Sequence, residues 1–357
     1  MPTFRTDLER VPVYRPGKPI DEVSRELGLD DIVKLASNEW PAAPFPEVQA
    51  ALAAAASDLN RYPENSVYHL VNALADYLDV PDDHLWMGAG STELIMCMGL
   101  AVGGPGTSMV FADPSFVMYP IAAALAGSEP IAVPATAGLG HDLDAMLAAI
   151  RPDTSLVFVC NPNNPTGTWL ASSEVERFIE AVPSQVLVVV DEAYFEFVTS
   201  EDYETAIGQA IARDNVVVAR TFSKVFGLAG LRVGYVVGHP ATLAQLRRAQ
   251  VPFSVNSMAQ VGARAALAHP DRLDERVKAN ATARAQLEIG FAELAVEYVS
   301  SQTNFVLMRP QTDASELSDR LLRQGVIVRP MGPFCRVTVG TQSENQVLLD
   351  ALGKAIG

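Results

Sequence analysis

The segment TFSKVFGLAGLRVGY places one lysine among hydroxyls, glycines and an arginine: Thr221, Ser223, Lys224, Gly227, Gly230, Arg232 and Gly234. A lysine that gives up its proton attacks carbonyl carbons and forms a Schiff base, and burial beside another cation lowers its pKa enough to do so near neutrality. Arg232 is a nearby cation. Together with two hydroxyls it also makes a monophosphate site, because guanidinium and hydroxyl donors match phosphate oxygens. Most lysines are solvated surface groups. The other four are less suited to carbonyl chemistry: Lys18 follows a Pro-Gly turn, Lys34 lies in a short apolar segment, Lys278 in a charged helix and Lys354 near the C-terminus.

Three further clusters carry polar groups. Asp191 ends the apolar run QVLVVV and is followed by Glu192, Ala193 and Tyr194, so a carboxylate and a phenol emerge together. An acid at a strand end can bind a metal in a nucleotide hydrolase, but no GxxxxGK[ST] loop accompanies it. NPNNPTG, residues 161–167, is a turn with exposed amides, including that of Asn164. In MGAGSTE, Gly88 and Gly90 open a loop, and Ser91 and Thr92 begin a helix whose free N–H groups suit an anion. Read as a dinucleotide fingerprint for an NAD-dependent dehydrogenase, that segment has Glu93 in place of the third glycine.

The elements that must position these residues are short apolar runs alternating with helical patterns. TSMVFA, SLVFVC, QVLVVVD, NVVVAR and RVGYVV lie between about residues 85 and 240. Successive apolar residues predict a mostly parallel sheet with helices on both faces, an α/β fold whose ligands sit beyond the strands' carboxyl ends. NPNNPTG, Asp191 and the Lys224 segment each follow such a run. Beyond residue 240, long helices, FVLMRP, SELSDRLLRQ, VIVRP and CRVTVGT predict a smaller α+β domain. The expected division is a large domain over 28–245 and a small one made of 1–27 and 246–357.

A chain of 357 residues with 49% hydrophobic and 19% charged residues has the composition of a folded globular protein. Its net charge of −16 argues against nucleic-acid or anionic-membrane partners. The absence of an apolar leader or long apolar run leads us to expect a cytoplasmic protein. Cys97, Cys160 and Cys335 are too far apart for a CxxC site, and the five histidines lack metal-ligand spacing, so no metal is expected.

The ordered set GSTE, DPSFVMY, NPNNPTG, DEAYFEF and TFSKVFGLAGLRVGY resembles the class I/II aminotransferases of fold type I, over nearly the whole chain. The flanking segments YRPGKP, KLASNEWP, LNRYPE and GVIVRP look most like the histidinol-phosphate and aromatic aminotransferase subfamily. The resemblance implies pyridoxal 5'-phosphate (PLP) as cofactor, small-molecule amino acid and 2-oxo acid substrates, no nucleic-acid or membrane partner, and a homodimer. It implies that Lys224 bonds the cofactor and then shuttles a proton, and that Asp191 pairs with the ring nitrogen. Tyr194 and Asn164 would bond the ring oxygen and Phe116 would stack on the ring. Gly90, Ser91, Thr92, Thr221, Ser223 and Arg232 would hold the phosphate, with Tyr62 reaching in from the other subunit. Arg336 and Asn38 would meet the substrate carboxylate, and Arg329 with Tyr14 a second anion. Only PMGPFC separates Arg329 from Arg336, a short turn carrying Phe334, which keeps phenylalanine and tyrosine as alternative substrates. A cofactor-binding module without catalysis is a further alternative.

Overall fold

The computed structural model describes every residue except 1, 3–7, 10, 12, 14–16 and 357. Thirteen strands occur among the described residues: β1 Val33–Lys34, β2 Leu85–Gly88, β3 Ser108–Asp113, β4 Glu129–Pro134, β5 Thr154–Cys160, β6 Leu187–Asp191, β7 Val216–Thr221, β8 Gly234–Gly238, β9 Glu297–Val299, β10 Phe305–Arg309, β11 Val326–Ile327, β12 Arg329–Met331 and β13 Phe334–Thr338. Seven form the central sheet in the order β2-β8-β7-β6-β5-β3-β4. All its pairings are parallel except those of β8, which runs antiparallel to both neighbours.

The valine-rich strands take the middle of this sheet because β-branched side chains fit a surface buried on both faces. Side chains of alternate residues point to opposite faces. Val157, Val159, Val188 and Val190 accordingly join one apolar core, while Leu156, Phe158, Leu187 and Val189 join the other. Each such burial contributes about 1.5–3 kcal/mol. Strands β2 and β4 were not foreseen. The edge strand β4, with Glu129, Pro130 and Pro134, lacks the apolar run of a central strand and needs fewer ladder bonds.

The second sheet, β12-β13-β10-β9, is antiparallel and lies against the helices Pro270–Glu293, Ala314–Leu322 and Gln342–Ile356. Two segments cross the expected domain division. β1 pairs with β11, and Leu35 joins the smaller core, so residues 33–36 pack with the small unit. Val255, Ala259, Ala263, Ala266, Leu267 and Leu273 join the large core. We therefore propose boundaries near residue 37 and near residue 273.

Candidate active site

The parallel strands β3, β5, β6 and β7 end on one edge of the central sheet. In register, Cys160 lies beside Asp191, and Asp191 beside Ala219. A cavity of about 590 Å³ opens there, a volume suited to a cofactor plus a small substrate. Its walls include Asn38, Ser91, Thr92, Phe116, Asn164, Asp191, Tyr194, Thr221, Ser223, Lys224, Arg232, Arg329 and Arg336. Residues separated by up to 300 positions thus face one space. Gly90 immediately precedes the helix Ser91–Val102; its φ is +86°, and a Cβ there would lie 2.5 Å from Arg232 Nη2. Tyr62 is instead 84% exposed and stacks on Phe253 at 4.9 Å. Tyr14 lies outside the described residues.

Lys224 stands at the start of a turn after β7. Its Nζ donates to the Asn38 carbonyl at 3.3 Å. Its pKa is drawn down to about 8, chiefly by burial, then by the positive charge of Arg336 and, more weakly, of Arg232; Glu39 and Asp191 oppose. The sequence pointed to Arg232 as the nearby cation. The larger cationic effect comes instead from Arg336, which β13 delivers from the far end of the chain.

Asp191 is 2% exposed. Its Oδ2 accepts from Tyr119 Oη at 2.8 Å and its Oδ1 from Ala193 N at 3.1 Å. Burial raises its pKa to about 6 against these two hydrogen bonds, and no ion pair to it forms among the described residues. Tyr119 was not foreseen: within DPSFVMY it reads as core, and only the fold brings it to Asp191. Its ring is fully buried and stacks on Phe158 at 4.3 Å.

Asn38 ties the two units together. Its backbone takes φ +55°, its N donates to Thr338 Oγ1 at 2.9 Å, and its Nδ2 donates to Tyr194 Oη at 2.8 Å. Asn304, also unforeseen, donates to the Asn38 carbonyl at 3.1 Å. Arg336 donates from Nη1 to Asn164 Oδ1 at 2.5 Å and from Nη2 to the Ala36 carbonyl at 2.9 Å. Arg329 and Arg336 are register partners across β12 and β13, so both guanidinium groups reach the same cavity. Phe334 does not line it; its ring lies under Arg309, at 5.9 Å.

This donor set fits PLP. Arg232 donates to Ser223 Oγ at 3.3 Å, and Ser223 N to Thr221 Oγ1 at 3.1 Å. With Ser91 and Thr92 at a helix N-terminus, they make a set of donors of the kind that suits a phosphate. The same cavity holds a buried carboxylate with no ion-pair partner among the described residues and a lysine of lowered pKa. No cluster of three metal-ligating side chains occurs among the described residues.

Fold and site together define a transaminase of the PLP-dependent kind, and the chain belongs to the class I and II aminotransferases, whose family model matches residues 30–352. The chain is 43% identical to a histidinol-phosphate aminotransferase of Moorella thermoacetica, an alignment covering 99% of this chain and 92% of that one. It is also 43% identical to histidinol-phosphate aminotransferase 2 of Pseudomonas aeruginosa, covering 98% and 96%. The crystal structure of the Sinorhizobium meliloti histidinol-phosphate aminotransferase in complex with PLP superposes with a TM-score of 0.91 at 29% identity, covering 99% and 97% of the chains. These findings set aside the dinucleotide reading of GAGSTE.

Proposed function

We propose that the protein is a histidinol-phosphate aminotransferase, exchanging an amino group between histidinol phosphate and 2-oxoglutarate with PLP as cofactor, in cytoplasmic histidine biosynthesis. The observation that carries this reading is the side-by-side placement of Arg329 and Arg336 at the cavity that holds Lys224. Histidinol phosphate presents a phosphate and no carboxylate, whereas 2-oxoglutarate presents two carboxylates. Two adjacent guanidinium groups serve either anion in turn.

PLP supplies a carbonyl that condenses with amines and a ring that takes up electrons when the substrate carbon loses its proton. Lys224 Nζ carries that proton, for which a pKa near working pH is suited. Asp191 would hold a proton on the ring nitrogen. Tyr194 and Asn164 would bond the ring oxygen, and Phe116 would cover the ring. Gly90, Ser91, Thr92, Thr221, Ser223 and Arg232 would hold the phosphate. Arg336, Arg329 and Asn38 would orient the substrate, and Tyr14 is proposed to assist them.

The exposed stack of Tyr62 on Phe253 supports a homodimer in which Tyr62 reaches the second copy's cofactor phosphate. No helix among the described residues is long and apolar enough to cross a membrane.

The test is a half-reaction. Histidinol phosphate or phenylalanine is added separately to purified enzyme without a 2-oxo acid, and the visible band of the bound cofactor is followed. Fast bleaching by histidinol phosphate and slow bleaching by phenylalanine is the expected result. The reverse order would move the enzyme to aromatic amino acids.

A further inference from the structure

The buried face of the helix Pro270–Glu293 carries three polar side chains at helical spacing, Arg276, Asn280 and Arg284, none more than 7% exposed. Residues four apart share a helix face. All three donate to main-chain carbonyls, one of them next to Lys224, one a few residues after Asn38 and one next to Asn304. Arg276 donates from Nη1 to the Val225 carbonyl at 2.8 Å and from Nη2 to the Ala43 carbonyl at 3.2 Å. Asn280 and Arg284 both donate to the Thr303 carbonyl, at 3.1 and 3.2 Å. Val225 follows Lys224, Ala43 lies downstream of Asn38, and Thr303 precedes Asn304. Asn304 and Lys224 share the Asn38 carbonyl as acceptor.

Arg276 differs from an ordinary buried arginine. Among the described residues it forms no ion pair, and burial alone draws its pKa down, to about 10. Its guanidinium lies 3.9 Å from the centre of the Phe45 ring and 5.0 Å from that of Trp40. A buried cation without a carboxylate is costly, and an apolar side chain would fill the same space more cheaply. What the guanidinium adds is two directed donors in a rigid plane. The neighbouring turn is shaped to admit it: at Gly227, with φ +68°, a Cβ would lie 2.7 Å from Arg276 Nη1. Gly227 N in turn donates to the Lys224 carbonyl at 2.9 Å, closing the turn that presents the lysine.

We propose that Arg276 is the positioning residue of Lys224, fixing its turn through the Val225 carbonyl and the segment after Asn38 through the Ala43 carbonyl. The proposal rests on Lys224 being the residue that bonds the cofactor and moves the proton. Burial, and after it the charges of Arg336, Glu39, Arg232 and Asp191, set the titration of Lys224, and a shifted turn changes both its burial and its distance to each charge.

The test uses holoenzyme carrying Arg276→Met or Arg276→Lys. Misplacing a reacting group by about an ångström can cost on the order of 100-fold in rate. Arg276→Met is therefore expected to lower kcat about 10- to 100-fold with KM changed less than about threefold. It should also move the midpoint of the pH titration of the visible cofactor band by at least about half a unit. Arg276→Lys, which keeps donors for one carbonyl, should recover part of both. Unchanged kcat per folded molecule together with an unchanged titration midpoint in Arg276→Met overturns the proposal. Should that variant fail to fold, the same two readouts on Arg276→Lys and Gly227→Ala decide. Borohydride reduction of the wild-type holoenzyme separates the two levels. If no cofactor is fixed to Lys224, the site reading falls and this proposal with it; if Lys224 is labelled and the variants are silent, only the proposal falls.

Discussion

Asp191 and Glu192 are consecutive carboxylates at the end of the same strand, equally buried, and they face opposite sides of the central sheet. Glu192 accepts from Arg220 Nη2 at 2.8 Å, Thr205 Oγ1 at 2.8 Å and Ala206 N at 2.7 Å, and the Arg220 guanidinium lies 3.7 Å over the Phe195 ring. Asp191 receives one phenol and one amide and no cation. The pair behind the sheet is complete within the chain and acts structurally. The carboxylate in front is held at a cost of burial that a cationic ligand group, as proposed for the cofactor ring, would offset. Neighbouring residues of the same type thus take different roles because strand geometry sends them to different environments.

The largest expected effect comes from the lysine that shares the cavity with Asp191. Lys224→Ala should lose covalently bound cofactor and lower kcat by at least about 10³-fold, the scale of acid-base catalysis, measured by borohydride labelling and steady-state kinetics. Asp191→Asn and Glu192→Gln should then separate the two carboxylates. Asp191→Asn is expected to reduce kcat about 10²- to 10³-fold. Glu192→Gln should leave kcat per folded molecule near wild type while destabilising the fold by about 3–5 kcal/mol, because it leaves Arg220 buried and unpaired. A large kcat loss in Glu192→Gln at intact stability would erase the distinction.

The same comparison has a pH signature in the cofactor-free protein. The folded pKa of Asp191 is raised from its ordinary 3.8 to about 6. The fold therefore favours the neutral acid: its stabilising contribution is complete below about pH 4 and is lost as pH rises through 6. Above that pH, cofactor-free Asp191→Asn should be more stable than wild type by about 2–3 kcal/mol, with no advantage below pH 4. Urea unfolding at several pH values measures this. Tyr119→Phe removes a hydrogen bond to an ionised group, worth about 1.5–3 kcal/mol, and should weaken cofactor binding about 10- to 100-fold by fluorescence titration. The smallest effect is kinetic. Capture of PLP by the cofactor-free enzyme should accelerate with pH and level off above about 8, as Lys224 loses its proton.

Much of this was legible in the chain itself. Apolar runs ending in Cys160, Asp191 and Arg220 identify a buried sheet, and the ends of parallel strands must share an edge, so NPNNPTG, Asp191 and Lys224 were bound to converge. The chemistry of Lys224 beside Arg232 and two hydroxyls is likewise carried by residue type and local spacing. What the sequence could not express is whatever depends on distant segments meeting. Tyr119 looks like core until β3 and β6 bring its hydroxyl to Asp191. Phe334 suggested an aromatic pocket, yet β13 turns its ring under Arg309. Arg336 lowers the pKa of Lys224, and Asn38, Asn304 and Arg276 hold the neighbouring segments, only because the small unit folds back over the sheet edge. Local patterns fix which elements form, because hydrogen bonding and side-chain periodicity act over a few residues. Electrostatic environment is set by burial and by neighbours at 3–5 Å, and only the tertiary structure decides those.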